Sequence, residues 1–298
     1  MAVRLEAMKG VVAAVLTPLR EDLSIDRAAF AAHCTRLLDA GCHGLGIFGT
    51  TGEANSFSIA ERVDAWEALV ADGVPAATLV PGTGACALPD AVTLTREALA
   101  VGAGAVLALP PFYYKGVSDD GLFAFFAELI ERVADDRLRL LLYHIPPMAV
   151  IGFSPALIGR LLDAYPGTIA GTKDSSSDAA RIEATCREFP QLDVFTGSES
   201  LLLDTLRWGG AGCISASVNL NAREARAVYD RFQAGEDAAA EQRALSQVRR
   251  AIGDRQLIPA LKAIMRARTG DDVWRTLRPP LRPLDAADAA ALVAALGD

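Results

Sequence analysis

Lysine is scarce in this sequence: Lys9, Lys115, Lys173 and Lys262 stand against twenty-five arginines. Where a generic surface cation serves, the chain uses arginine, so a lysine inside an apolar strand pattern calls for a specific reason. Histidine is scarcer still. His33, His43 and His144 show no metal-ligand spacing, and no metal site is expected. The five cysteines (Cys34, Cys42, Cys86, Cys186, Cys213) are odd in number and form no CxxC, which fits reduced thiols in a cytoplasm better than a disulfide framework. No apolar stretch reaches the length of a membrane span, and the best candidate, 101–112, is broken by Gly and Pro. The first ten residues carry Arg4, Glu6 and Lys9 without a following signal core, so a cytoplasmic rather than exported protein is expected. Basic clusters are missing too. The net charge is −8, and Arg249–Arg250 and the Arg266/Arg268 pair fall in helical patterns where a solvated face accounts for them, so neither nucleic acid nor membrane is an expected partner.

What is present is a regular alternation. The chain has 298 residues, 51% hydrophobic and 22% charged, enough to bury a core without disulfide or metal staples. Short apolar runs predict strands at 11–16, 45–48, 78–80, 105–109, 138–143, 169–172, 194–196 and 213–217. Amphipathic segments between them predict helices at 26–40, 58–71, 88–100, 118–133, 154–164, 178–188 and 200–208, with Ser58 and Glu61 forming a capping box. Most strand runs lack period-two alternation, as parallel strands buried on both faces do. Eight such units point to an α/β fold, a closed (β/α)8 TIM barrel over 1–222. An open doubly wound sheet is the alternative, but no GxGxxG follows the first strand. Residues 223–298 read as a C-terminal helical extension packed on the barrel, with Pro279, Pro280 and Pro283 interrupting it before the last helix.

In a barrel, function collects at the carboxyl ends of the strands. After the second strand stands Gly49-Thr50-Thr51-Gly52-Glu53, where backbone N–H groups and hydroxyls can converge on a small anion; a plain turn with a threonine cap is the competing reading. The fourth strand is followed by Pro110-Pro111-Phe112-Tyr113-Tyr114-Lys115, aromatics able to wall a pocket or an interface. The fifth ends in Tyr143, a phenol that needs a buried partner or serves as a proton shuttle. The sixth ends in Gly171-Thr172-Lys173-Asp174-Ser175. A lysine at such a strand end is partly desolvated, which favours the neutral amine that attacks a ketone to form an imine. A salt bridge to Asp174 is the alternative.

These stations, in this order, resemble the dihydrodipicolinate synthase/N-acetylneuraminate lyase family of class I, pyruvate-type aldolases, over nearly the whole chain from Gly10-Val11 to Arg278-Pro279-Pro280-Leu281. The run from Gly44 to Glu53 is similar to the family's first signature. The resemblance implies a (β/α)8 barrel with a helical extension, a homo-oligomer (dimer or tetramer), and no metal or organic cofactor. By the same likeness Lys173 forms the imine with pyruvate or another 2-oxo acid, Tyr143 moves protons, Thr50 relays them, and Tyr113 completes the relay from a neighbouring subunit, with Tyr114 as its substitute. Thr50 and Thr51 would hold the 2-oxo acid carboxylate, while Gly197 and Ile214 would line the site through their backbone.

Departures narrow the expectation. The synthases place an arginine five residues after the strand-five tyrosine to grip the carboxylate of the aldehyde, and here that residue is Met148, which cannot form the bidentate pair. In Gly197-Ser198-Glu199-Ser200, Glu199 keeps part of the acidic pattern that neuraminate lyases offer to a sugar-like tail. The reading is a lyase of the aldolase-like branch acting on a 2-oxo acid and an aldehyde. A true synthase joining pyruvate to aspartate semialdehyde, a 2-keto-3-deoxy sugar acid dehydratase and a non-catalytic 2-oxo acid sensor are the alternatives.

Overall fold

The structure, a computed structural model, describes residues 9–297. Arg4 and Glu6, on which the expectation of no export partly rests, lie outside the described residues. Seven parallel strands form one sheet: β1 (Gly10–Ala14), β2 (Gly44–Gly46), β3 (Val106–Ala108), β4 (Leu140–His144), β5 (Ile169–Asp174), β6 (Asp193–Thr196) and β7 (Gly212–Ser215), in the order β2-β1-β7-β6-β5-β4-β3. The eighth position, expected as a strand at 78–80, differs. Ala76–Thr78 is a 3-10 turn, and only isolated parallel bridges at Leu79 and Gly82 join the neighbouring strands. Pro81 is the physical reason, since it offers no N–H to a ladder. The segment still hydrogen-bonds on both sides. Val80 N and Gly82 N donate to Leu45 O and Ile47 O at 2.8 Å each, while Leu107 N donates to Pro81 O and Thr83 N to Leu107 O at 2.9 Å each. The ring therefore closes between β2 and β3, and the fold is the expected TIM barrel.

Helices cover the ring in the expected order, and their starts follow local chemistry. Asp26, Ser118, Ser154 and Asp178 accept the first free backbone N–H groups of their helices, and Ser58 with Glu61 forms the capping box. The expected helix 200–208 begins instead as a 3-10 turn, Glu199–Leu201, and continues as Leu202–Arg207. A short helix, Pro146–Ala149, occupies the segment after β4. The helix Val218–Gln233 kinks at Asn221, beside the expected boundary of barrel and extension. The extension continues with Ala239–Ile252, Leu257–Thr269 and Ala286–Leu296.

Two apolar clusters hold these parts together. The larger runs between strands and helices and includes an edge-to-face set in which Phe48 meets Phe30, Phe57 and Trp66. The smaller joins Leu16 and Ala216, just past the ends of β1 and β7, to Leu261, Ile264, Met265 and Trp274 of the extension. Burying each such side chain contributes about 1.5–3 kcal/mol, so the extension is docked by its own core.

A polar knot reinforces that seam. Asn219 accepts from Leu16 N at 3.1 Å and donates to Ala14 O and Ala216 O at 2.7 Å each. Its side-chain oxygen also meets His33 Nε2 at 2.8 Å, and Arg36 lies 2.9 Å from His33 Nδ1. Arginine only donates, so Nδ1 accepts and Nε2 carries the hydrogen. Burial, with Arg36 adding to it, drives His33 from 6.5 down to about 3. His33 is thus neutral in the fold, while the unfolded chain takes up a proton below about 6.5. Its contribution is present above that pH and is lost as pH falls toward about 3. Melting temperatures of the parent and of His33→Gln measured across this window check the sign: the variant's curve should be flatter there, and parallel curves would show that His33 does not titrate in this way.

Candidate active site

The sheet register brings the chemistry together. Tyr143 of β4 lies opposite Lys173 of β5, and Lys173 lies opposite Phe195 of β6. In-register neighbours point to the same face, so phenol and amine stand side by side. Lys173 Nζ donates to Tyr143 Oη at 3.2 Å and sits 4.3 Å from the centroid of its ring. Tyr143 Oη in turn meets Thr50 Oγ1 at 3.3 Å. Amine, phenol and hydroxyl thus form one hydrogen-bonded row, with Lys173 and Tyr143 both buried.

The turn that supplies Thr50 is bracketed by two left-handed residues, Phe48 (φ 48°) and Glu53 (φ 59°). Such conformations are uncommon for side chains of this size and persist where surroundings impose them. Thr17 Oγ1 donates to Gly52 O at 2.9 Å, Glu53 N to Thr50 O at 3.1 Å and Ala54 N to Gly49 O at 3.2 Å. Thr51 is buried beside Thr50. Gly82 lets the turn come this close, because a Cβ there would overlap the Phe48 carbonyl. A small cavity borders Thr50 and Tyr143, walled by Phe48, Asn55, Gly84 and Leu109. A larger, open depression between Arg20, Asp26, Asp272 and Arg275 lies elsewhere and contains none of these three groups.

Asp174 is not the partner of Lys173. Its carboxylate is taken by Arg181 Nε at 2.9 Å, and by the N–H and hydroxyl of Ser176 at 2.9 and 2.5 Å. Arg181 also donates to Phe153 O at 2.6 Å, while Phe153 N donates to His144 Nδ1 at 3.1 Å. Burial holds His144 below its usual range, against the pull of Asp174. This cluster fixes the segment after β4 to β5, immediately behind the amine.

The other expected residues are spread around the rim. Gly197 packs so closely that a Cβ would overlap the Ser175 hydroxyl, and its N–H donates to Asp174 O at 2.6 Å. Ile214 is wholly buried in β7. Glu199 is also wholly buried. It accepts from Ser215 Oγ at 2.5 Å, its other carboxylate oxygen has no partner, and no hydrogen bond joins it to Lys173, Tyr143 or Thr50. Tyr113 and Tyr114 are each 72% exposed and stack edge to face on one another rather than on the row. Met148 is 66% exposed on the short helix after β4. Lys115 ties the two loops by donating to Ala149 O at 3.1 Å.

Three polar residues of importance escaped the sequence reading: Ser215, Arg181 and Lys262. The last had a signal, for it is one of four lysines, and it lies buried against Glu53. Among the described residues no cluster of three or more His, Cys, Asp or Glu is placed to hold a metal ion, and no helix is long and apolar enough to cross a membrane.

The pattern of the dihydrodipicolinate synthetase family matches residues 7–298. The chain belongs to that family. An uncharacterized DapA-like lyase of Chloroflexus aurantiacus is 38% identical over 288 residues, 96% of this chain and 95% of the relative. Dihydrodipicolinate synthase from Agrobacterium tumefaciens superposes with a TM-score of 0.89 at 32% identity, covering 97% of this chain and 98% of the other. An E. coli K12 prophage protein of the dihydrodipicolinic acid synthase family, solved with pyruvate, gives 0.88 at 26% identity and covers 97% of each chain. Membership makes this chain a lyase.

The cluster behind the amine generates a stability test. Arg181→Met leaves the Asp174 carboxylate buried without its cation and Phe153 O without that donor, a loss of about 3 kcal/mol. Urea unfolding measures it, and an unchanged midpoint and slope would show that the pair holds nothing in place.

Proposed function

We propose that the chain is a Schiff-base lyase of the aldolase type, which cleaves or condenses a 2-oxo acid through an imine on Lys173, with pyruvate as donor or product. The observation that carries this reading is the buried row Lys173–Tyr143–Thr50. The Lys173 amine adds to the C2 carbonyl of the 2-oxo acid, and loss of water from the carbinolamine leaves an iminium. Cleavage of the C3–C4 bond sends its electron pair into an enamine while the aldehyde departs. Protonation at C3 and hydrolysis then release pyruvate and free the lysine. Tyr143, within hydrogen-bond reach of the reacting nitrogen, transfers the protons, and Thr50 passes them outward because a hydroxyl both donates and accepts. The hydroxyls and backbone N–H groups of Thr50 and Thr51 hold the carboxylate, with the backbone of Gly197 and Ile214 lining the opposite wall.

Tyr113 extends the relay from a neighbouring subunit, a role that suits a phenol 72% exposed in the single chain; Tyr114 beside it is the substitute. We place the reaction in the cytoplasm, on the odd number and scattered positions of the five cysteines. For the second substrate, Met148 supplies no charge to an aldehyde carboxylate, and Ile145, Ala149 and Ile151 around it are apolar. Glu199, with one carboxylate oxygen unpartnered, is the group assigned to accept a hydroxyl from the substrate tail. A 2-keto-3-deoxy sugar acid or a hydroxy-oxo acid fits this better than aspartate semialdehyde does.

Incubation with pyruvate and borohydride should leave a reduced adduct on Lys173, located by mass spectrometry and absent from Lys173→Ala; an adduct that survives the substitution overturns the imine. Tyr143→Phe should lower kcat by about 100- to 10,000-fold. Pyruvate release from a panel of 2-keto-3-deoxy acids, set against condensation with aspartate semialdehyde, separates the aldolase from the synthase. Sedimentation with parallel assay tests the shared site, since a fully active monomer is incompatible with Tyr113 acting from a neighbour.

A further inference from the structure

Lys262 and Glu53 form an ion pair in which both side chains are almost wholly removed from water, with Nζ to Oε1 at 2.6 Å. The pair joins two distant parts of the chain. Lys262 lies on the helix Leu257–Thr269 of the extension, and Glu53 closes the turn that presents Thr50 and Thr51. The grip is redundant. Arg278 N donates to the other Glu53 oxygen at 2.9 Å, and Lys262 also donates to Thr276 O at 2.8 Å. The Arg278 side chain then holds the residues that follow the turn, donating to Ser56 O at 2.7 Å, pairing with Glu61 and lying 4.0 Å from the Phe57 ring centroid.

Stability alone does not account for such a pair. Desolvating two charges offsets most of their attraction, and apolar replacements of similar volume are often as stable or more so. What an apolar pair cannot do is hold one residue at one position and one angle. Glu53 needs that, since it is left-handed and three residues from the hydroxyl that meets Tyr143.

We infer that Lys262 and Glu53 are positioning residues: through them the C-terminal extension sets the place of the Thr50–Thr51 turn against Tyr143 and Lys173. The extension is therefore part of the working site although it contributes no group to the reacting atoms. The inference rests on the imine reading for its kinetic readout and on the carboxylate-binding turn for its equilibrium readout.

The test is a double-mutant cycle in the full chain with Glu53→Gln, Lys262→Met and the double variant, read by melting temperature, calorimetric pyruvate binding, borohydride trapping and steady-state kinetics. The double variant removes both charges while glutamine can still accept from Arg278 N, so it should melt near the parent. It should trap pyruvate on Lys173 at saturation, yet show kcat/KM lower by about 10- to 100-fold, the scale of a small misplacement, with weaker pyruvate binding and a lower kcat. A double variant with the parent's melting temperature, pyruvate Kd and kinetics overturns the inference. Should the double variant fail to fold, Lys262→Arg keeps the charge but changes the shape of the head group. The same kinetic loss in a folded Lys262→Arg supports positioning, and parental kinetics in it overturns positioning. If the parent itself forms no Lys173 adduct, the imine reading falls alone, and pyruvate Kd in parent and variants still decides the turn. A parent that binds no pyruvate overturns both.

Discussion

An open sheet presents a row of unpaired N–H and C=O groups along each edge strand, and a closed ring removes both edges. Closing the ring is how this sequence satisfies those groups. β1 pairs with β7, and the short bridged segment from Leu79 to Thr83 spans the gap between β2 and β3. Because Pro81 interrupts it, that gap is the thinnest part of the wall, and it lies beside the Thr50 turn. Gly82 and Gly84 carry no side chain there, which lets a turn following β2 reach a phenol on β4. The closure that satisfies the backbone thus also determines which residues meet at the mouth.

Within that wall the chain uses its rare lysines in contrasting ways. Lys262 is neutralised by a carboxylate and is an anchor. Lys115 spends its donors on loop carbonyls at the surface. Among the described residues the Lys173 amine bonds only to the Tyr143 phenol and forms no ion pair. Asp174, the obvious counter-ion, is turned to Arg181 and Ser176. A buried cation with a full counter-ion is held in place, whereas the Lys173 amine has a phenol beside it and no carboxylate bonded to it among the described residues. Arginine could take neither buried role in the same way, since its guanidinium is larger, planar and always charged.

Much of this architecture was legible because it rests on local rules. The caps at Asp26 and Ser58 and the recurring apolar strand runs are local signals of this kind. Lys173, Tyr143 and Thr50 were legible singly, as residues at strand ends that share one rim in a barrel, and it was the family resemblance that joined them into one set. Other features depend on contacts distant in sequence. The replacement of a strand at 78–80 by two bridges follows from Pro81 in its tertiary setting. The retention of Asp174 by Arg181 is local, but its geometry depends on the loop that brings Phe153 O within reach. The union of Glu53 with Lys262 crosses 209 positions, beyond any window of periodicity.

The knot at Asn219 has a consequence for how the chain is made. Asn219 bonds to Leu16, 203 positions earlier, and β1 gains its second neighbour only when β7 exists. On the ribosome, β1 must wait with an open edge until nearly three-quarters of the protein has emerged, its apolar strand exposed to other nascent chains. Contacts of this span also slow folding, because the loop must be closed before it is rewarded. The ring that leaves the finished barrel without open edges is thus complete only after β7 has been made.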